Sequence, residues 1–317
     1  MLETAASLYD FDSPDLKPFH LKGSYQLYGP KEILAGRGTY EYWWTAPGVY
    51  RRSWTRPGAT RTDWHTAGGR NVSQASGDRL SFIEQQLQLL LFAPIPDVRK
   101  LDPRDFDLKR DQLGSGKTAL PCVDIKLHKR KDGIWPVLPG AAAHFFCFEP
   151  GEPLLRLARD AEVLNFEFNS LKKFQNRILA GSITIAYGNQ KLLAFTVDAI
   201  GPIAGDEAAI APPADAKPSA PLGLSGPSAS QARLTKKAVP VYPEEAKAER
   251  ISGTVVLDVM VGSDGKVRDL RVVGSPSPSL TKSSLECISN WQYTPFLADG
   301  QPLEVNTLVT VIYALSR

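Results

Sequence analysis

The sequence predicts an α+β fold in two folded parts. An N-terminal antiparallel sheet, curved or half-barrel in form, holds one helix, and a small C-terminal module has the order ββαβ. Three observations carry this expectation. Residues 1–200 are dominated by short runs of period-two alternation, many of them aromatic, each bounded by Gly, Pro or Asn. Residues 201–232, GPIAGDEAAIAPPADAKPSAPLGLSGPSASQA, drop that pattern for Gly, Pro, Ala and Ser without a single aromatic. Such a segment has too little apolar surface to fold and reads as a linker. Residues 233–317 then recover regular periodicity, switching between strand and helix spacing. A chain of 317 residues is long enough to bury two separate cores.

In chain order, strands are expected at FHLKGSYQLY (19–28), GRGTYEYWWTA (36–46), GVYRRSWTRP (48–57) and ATRTDWHTA (59–67). SFIEQQLQLLLFAPIP interrupts them: Leu80, Ile83, Leu87 and Leu90 share one helical face, and Pro94 and Pro96 stop the helix. Strands resume over 119–127, 143–149 and 162–168, and two more flank Gly188-Asn189. In the second part, Pro243 opens a short helix over PEEAKAER. Val255, Leu257, Val259 and Val261 alternate up to the turn SDG at 263–265, and KVRDLRVVGS returns as the next strand. Leu280, Leu285 (or Ser284), Ile288 and Trp291 follow at helical spacing. Leu303, Val305, Thr307, Val309, Val311 and Tyr313 then occupy one face of a long final strand. A sheet this small leaves strand edges open to another strand, from a partner or from a second copy in a homodimer.

The chemistry-bearing motifs are few. GSGKT (114–118) ends like a phosphate loop, but Asp111 stands where the first glycine belongs, and Pro121 follows too soon for a helix. It reads as a turn into a strand. Four histidines are scattered without ligand spacing, no nucleophile elbow is present, and the carboxylates are spread along strands. No catalytic residue, cofactor site or metal site is expected, and the chain reads as a non-enzyme. A net charge of +3 with no concentrated basic face argues against nucleic acid. No apolar stretch approaches the ~20 residues of a membrane span. The first residues lack a leader pattern, which fits either a cytosolic chain or one whose leader precedes residue 1. Cys122 and Cys147 lie in two strand-like runs that a hairpin would bring together, which makes them a candidate disulfide and favours an oxidising compartment. Cys287 reads as a small buried hydrophobe on a helix.

The C-terminal part carries a family resemblance. Tyr242-Pro243 with Ala246 is followed by Ile251, Gly253, Val255 and Leu257, then by Asp264-Gly265 and Val267. Next come Trp291, Tyr293 and Pro295, and finally Gly300 and Pro302 before the last strand. In this combination, residues 240–313 resemble the C-terminal domain of the TonB family of energy transducers. The resemblance implies a periplasmic or periplasm-facing domain in the cell envelope. It would dock on an outer-membrane receptor, or another periplasmic protein, by pairing its sheet edge with an extended peptide. On that reading the protein serves energy-coupled transport across the outer membrane. Two departures stand against full equivalence: no transmembrane helix occurs in this chain, and a folded domain stands where the family has a long Pro-rich spacer.

Residues 19–200 resemble, more weakly, LolA-like lipoprotein carriers, in GRGTYEYWWTAPGVYRRSWTRPGATRTDWHTAGGR above all. Tyr40, Tyr42 and Trp44 share one strand face, and Tyr50 and Trp54 another. They form either the lining of a hydrophobic cavity for a lipid or acyl ligand, or ordinary core. The alternative function is therefore a periplasmic lipid or lipoprotein carrier whose TonB-like module only binds a partner.

Overall fold

A computed structural model describes residues 1–129, 143–160, 164–203, 210–219, 234–298 and 300–315. The chain divides into two compact units, Met1–Pro218 and Ser219–Arg317. Sheet predominates with a few short helices, in open sheets, which is an α+β composition.

The first unit runs α1 (Leu2–Leu8), β1 (Phe19–Tyr28), β2 (Leu34–Ala46), β3 (Val49–Arg56), β4 (Ala59–His65) and β5 (Asn71–Gly77). It continues with α2 (Phe82–Gln85), α3 (Leu87–Phe92), β6 (Phe106–Leu113), β7 (Leu120–Leu127), β8 (Phe145–Phe148), β9 (Leu155–Arg159) and β10 (Leu164–Asn169). The small strands β11 (Lys172–Phe174) and β12 (Arg177–Leu179) precede β13 (Ser182–Tyr187), β14 (Gln190–Pro202) and β15 (Lys217–Pro218). Thirteen of these strands make one sheet among the described residues, in the order β15-β5-β4-β3-β2-β1-β14-β13-β10-β9-β8-β7-β6, with antiparallel pairing throughout. Cys122 on β7 lies opposite Cys147 on β8, and the two form a disulfide. GSGKT ends in a single 3-10 turn, Gly116–Thr118, between β6 and β7.

The single helix expected over 80–92 is instead two short ones. Ser81 and Glu84 form a capping box that starts α2, and Gln86 ends α2 and begins α3. One further helix, α1, had no sequence expectation: it is only seven residues long and has no side-chain cap. At one end of the sheet β6 is exposed along nearly its whole length and alternates Asp107, Lys109 and Asp111 with Leu108 and Arg110. At the other end, part of the expected linker is ordered: Lys217–Pro218 pairs with Ser73 and Val72, because β5 offers an open row of donors and acceptors. Of the rest of that segment, Gly201–Pro202 close β14, while 204–209 and 220–232 lie outside the described residues.

The second unit contains β16 (Leu234–Lys236), α4 (Glu244–Ala248), β17 (Gly253–Val261), β18 (Val267–Gly274) and α5 (Pro278–Ile288). It ends with β19 (Gln292–Tyr293), β20 (Phe296–Ala298), β21 (Gln301–Leu303) and β22 (Val305–Tyr313). Its main sheet has the order β18-β17-β22. Val255, Leu257, Val259 and Val261 from the central strand pack with Leu280, Ile288, Val311 and Tyr313 into one core.

Candidate functional site

Of the aromatics read as either cavity lining or core, four are buried in the first unit. Tyr40, Tyr42, Trp44 and Trp54 are each no more than 2% exposed. The reason is that α2 and α3 occupy the space beside them. Phe92 of α3 stacks on Tyr42 at 4.1 Å, and Trp54 donates its indole N–H to the Glu84 carbonyl at 3.2 Å. Trp44 donates to Asp12 at 2.8 Å and stacks on Phe19. Tyr50 stacks between Tyr42 and His65. Burial holds the Tyr40 hydroxyl far above the ordinary phenol range. A buried ion pair fixes the helices to this face: Arg56 meets Glu84 at 3.2 Å, and Tyr25 donates to the same carboxylate at 2.8 Å.

The second unit presents a different feature, an open strand edge. β22 pairs with β17 in nine consecutive residue pairs, Val305–Val261 through Tyr313–Gly253, with no register shift. Its other side has no partner strand among the described residues. β18, at the opposite edge, pairs with β17 through two irregularities. A straight ladder on one side leaves an equally regular row of N–H and C=O groups on the other. Of the two edges, β22 is therefore the better template.

Side chains explain why this strand is held so straight. Val311 and Tyr313 are buried, and Val305 and Val309 pack against the same core, so these residues anchor the strand rather than face a partner. Thr307 shares their face and is half-buried. The Tyr313 hydroxyl lies 3.0 Å from Ser284 Oγ, which donates to the Leu280 carbonyl. Helical spacing left Leu285 and Ser284 as alternatives for that face of α5. Ser284 is the fully buried one, and a hydroxyl at that position is the signal that a polar partner waits there. The opposite face of β22 carries Ile312, 75% exposed. Leu303 departs from the expected strand. A hairpin of β20 and β21 pairs it with Phe296, and Glu304 separates it from β22, so the last strand begins at Val305.

The motif residues build the scaffold of this edge. Tyr242 packs edge-on against Tyr313, with ring centres 5.3 Å apart, and donates to the Ile251 carbonyl at 2.6 Å. Pro243 is the N-cap of α4. Gly253 starts β17 with φ +141°. Asp264 accepts the Lys266 N–H at 3.1 Å and faces Arg268 at 2.8 Å, and these contacts hold its carboxyl below the usual range. Gly265 has φ +79°, and a Cβ there would stand 2.0 Å from the Tyr293 carbonyl oxygen. Tyr293 in turn donates its N–H to the Gly265 carbonyl at 2.8 Å, and burial pushes its phenol up to about 12. Pro295 N would lie 3.5 Å from the same added carbon, an ordinary contact. Trp291 donates to the Ala238 carbonyl at 2.9 Å, and the Cys287 thiol contacts the same oxygen. The segment before α4, left without an element by the sequence, is thereby tied to α5. Its Pro-flanked AVPVYP composition is the signal for an extended, unpaired run.

Residues 238–315 match the family model described as Gram-negative bacterial TonB protein C-terminal. Protein TonB of Vibrio cholerae is 30% identical over 95 residues, covering 27% of this chain. The chain spans 39% of the length of that curated relative. Among solved structures, the C-terminal domain of Pseudomonas aeruginosa TonB is 24% identical, covers 28% of this chain and 90% of its own, and has a TM-score of 0.25. A LolA superfamily protein from Nitrosomonas europaea covers 67% of this chain and 96% of its own, at 7% identity and a TM-score of 0.38.

Proposed function

We propose that the TonB-type C-terminal unit is a docking module that captures an extended peptide of an outer-membrane receptor on the free edge of β22, in energy-coupled transport at the periplasmic side of the envelope. The observation that carries this reading is the uninterrupted nine-pair ladder on one side of β22 with no partner strand on the other among the described residues. Main-chain groups supply the affinity in such pairing, and side chains on either face of the edge supply selectivity. No acid, base or metal takes part, so the reading is of a binding protein, not an enzyme.

Adjacent residues of a strand aim their N–H groups to opposite sides, so of Thr307 and Leu308 one points at β17 and the other outward. Proline at the outward position removes a docking donor while leaving the β17 ladder intact. The test is calorimetric binding of a synthetic receptor-derived peptide to Thr307→Pro and Leu308→Pro. One of the two is expected to stay folded and lose binding. Peptide affinity unchanged in a folded outward variant overturns the proposal. Amide exchange gives an independent check: the outward amides of β22 gain protection when peptide is added.

A further inference from the structure

The face of the large sheet turned away from Tyr40 and Trp54 carries a row of hydroxyls in register. Ser182, Thr196, Ser24, Thr39, Thr55, Thr60 and Ser76 lie directly opposite one another on seven neighbouring strands. Two parts of this row differ in how their hydroxyls are used. At the β4–β5 end, Thr60 and Ser76 bond each other at 2.7 Å, as Ser53 and Thr62 do one rung away at 2.9 Å. There the hydroxyls stabilise the sheet. In the middle, Thr39, Thr55 and Thr196 have no side-chain partner among the described residues, and all three are exposed. These same three residues border a groove of about 800 Å³, within the usual range for ligand sites.

The rest of the lining fits the same chemistry. Gln26 uses its oxygen to accept from Tyr28, which leaves its amide N–H groups free. Ser24 donates to Asp198 at 3.1 Å. Two guanidiniums, of Arg37 and Arg56, border the groove, and among the described residues no carboxylate lines it. Arg56 is already paired with Glu84, whereas exposed Arg37 has no ion-pair partner among the described residues. The groove therefore offers hydroxyl and amide groups around one guanidinium without an ion-pair partner among the described residues, that of Arg37, with the Asp198 carboxylate held beside it by Ser24. Its hydroxyls repeat at the strand spacing, so that the four from Thr196 to Thr55 span about 14 Å.

We infer that this groove binds a carboxylate-bearing oligosaccharide: Arg37 takes the carboxylate, and the free hydroxyls of Thr39, Thr55 and Thr196 bond the sugar hydroxyls along the row. An extended polyol satisfies a repeating line of hydroxyls, whereas a peptide strand needs an open sheet edge, which the middle of a sheet lacks. The site lies in the first unit and is independent of docking at β22.

The test uses the full chain, with calorimetric titration of trigalacturonate, of neutral maltotriose and of tricarballylate as a carboxylate that is not a sugar. Trigalacturonate is expected to bind, more weakly at higher salt. Arg37→Ala is expected to weaken it at least about tenfold, as loss of a charge-assisted contact does. The Thr39→Val, Thr55→Val double variant is expected to lose about tenfold through two hydrogen bonds. Valine keeps the strand preference, so the melting temperature of the double variant should be unchanged. Thr60→Val, outside the groove, should bind like the parent. Absence of trigalacturonate binding at millimolar concentration overturns the inference. Equal binding of maltotriose or of tricarballylate does so too, as does an equal loss in Thr60→Val.

Discussion

Gly265 and Gly300 have nearly the same backbone conformation, φ +79° and +75°, but different surroundings, and the pair isolates the worth of one close approach. An alanine at either position meets the left-handed penalty, about 1–2 kcal/mol. At Gly300 nothing lies within 4 Å of the added carbon, so the cost ends there. At Gly265 the carbon would stand 2.0 Å from the Tyr293 carbonyl oxygen and 2.9 Å from its carbon, which are backbone atoms that no rotamer change can clear. The turn must then release Tyr293, and the 2.8 Å bond from its N–H to the Gly265 carbonyl goes with it, worth about 1 kcal/mol. Unseating a partly buried aromatic that packs on the core brings the expected loss for Gly265→Ala to about 3 kcal/mol. Amide exchange of the β17 segment, where Val255, Val256 and Leu257 are fully buried, reports global opening of this unit. The expected acceleration is somewhat over a hundredfold for Gly265→Ala and roughly five- to thirtyfold for Gly300→Ala. Equal exchange in the two variants would refute the argument that contact, not conformation, dictates glycine at 265.

Reducing the Cys122–Cys147 disulfide, which closes a sequence separation of 25, should cost the first unit roughly 3.5 kcal/mol by loop entropy; a urea midpoint unmoved by reductant would contradict this. Hydrogen bonds from Ser13 and Asn176, and the Arg177 guanidinium at 2.7 Å, hold the Asp15 carboxyl well below its usual range. Because the folded value is the lower one, Asp15 contributes stability above about pH 4, and the contribution fades as pH falls through the lowered value. Asp15→Asn should therefore be less stable than the parent at neutral pH, with the gap closing in acid. A gap constant from neutral to strongly acidic pH would count against it.

What the sequence revealed and what it hid follow one physical rule. β1 was legible to the residue because Phe19, Leu21, Gly23, Tyr25 and Leu27 face the core while His20, Lys22, Ser24 and Gln26 face away, an alternation that burial on one side imposes. β6 gave no such pattern because it is exposed at an edge, and nothing selects its alternation. The helix over 80–92 was visible as an apolar run, but the break at Gln86 was not, since Gln is an ordinary helix former. The spacing of Leu303 matches the last strand. Only the hairpin partner Phe296, set by a turn, removes it. In the aromatic strands the residue types were plain and their burial was not. Tyr and Trp on alternate positions look the same whether helices or solvent cover them.

The two ends of the large sheet bear on how this protein behaves in a crowded compartment. A sheet this wide with bare ends would add further copies edge to edge and grow into fibres. At one end the last strand is β15, whose Pro218 has no N–H to offer a newcomer. At the other, pairing β6 with itself about its centre sets Lys109 or Arg110 against another cation, which like-charge repulsion disfavours. Each end thereby carries a device against self-association, a missing donor over Val72 and Ser73 at one and charge at the other. A chain whose proposed work depends on one sticky edge thus marks both ends of its longest sheet against pairing.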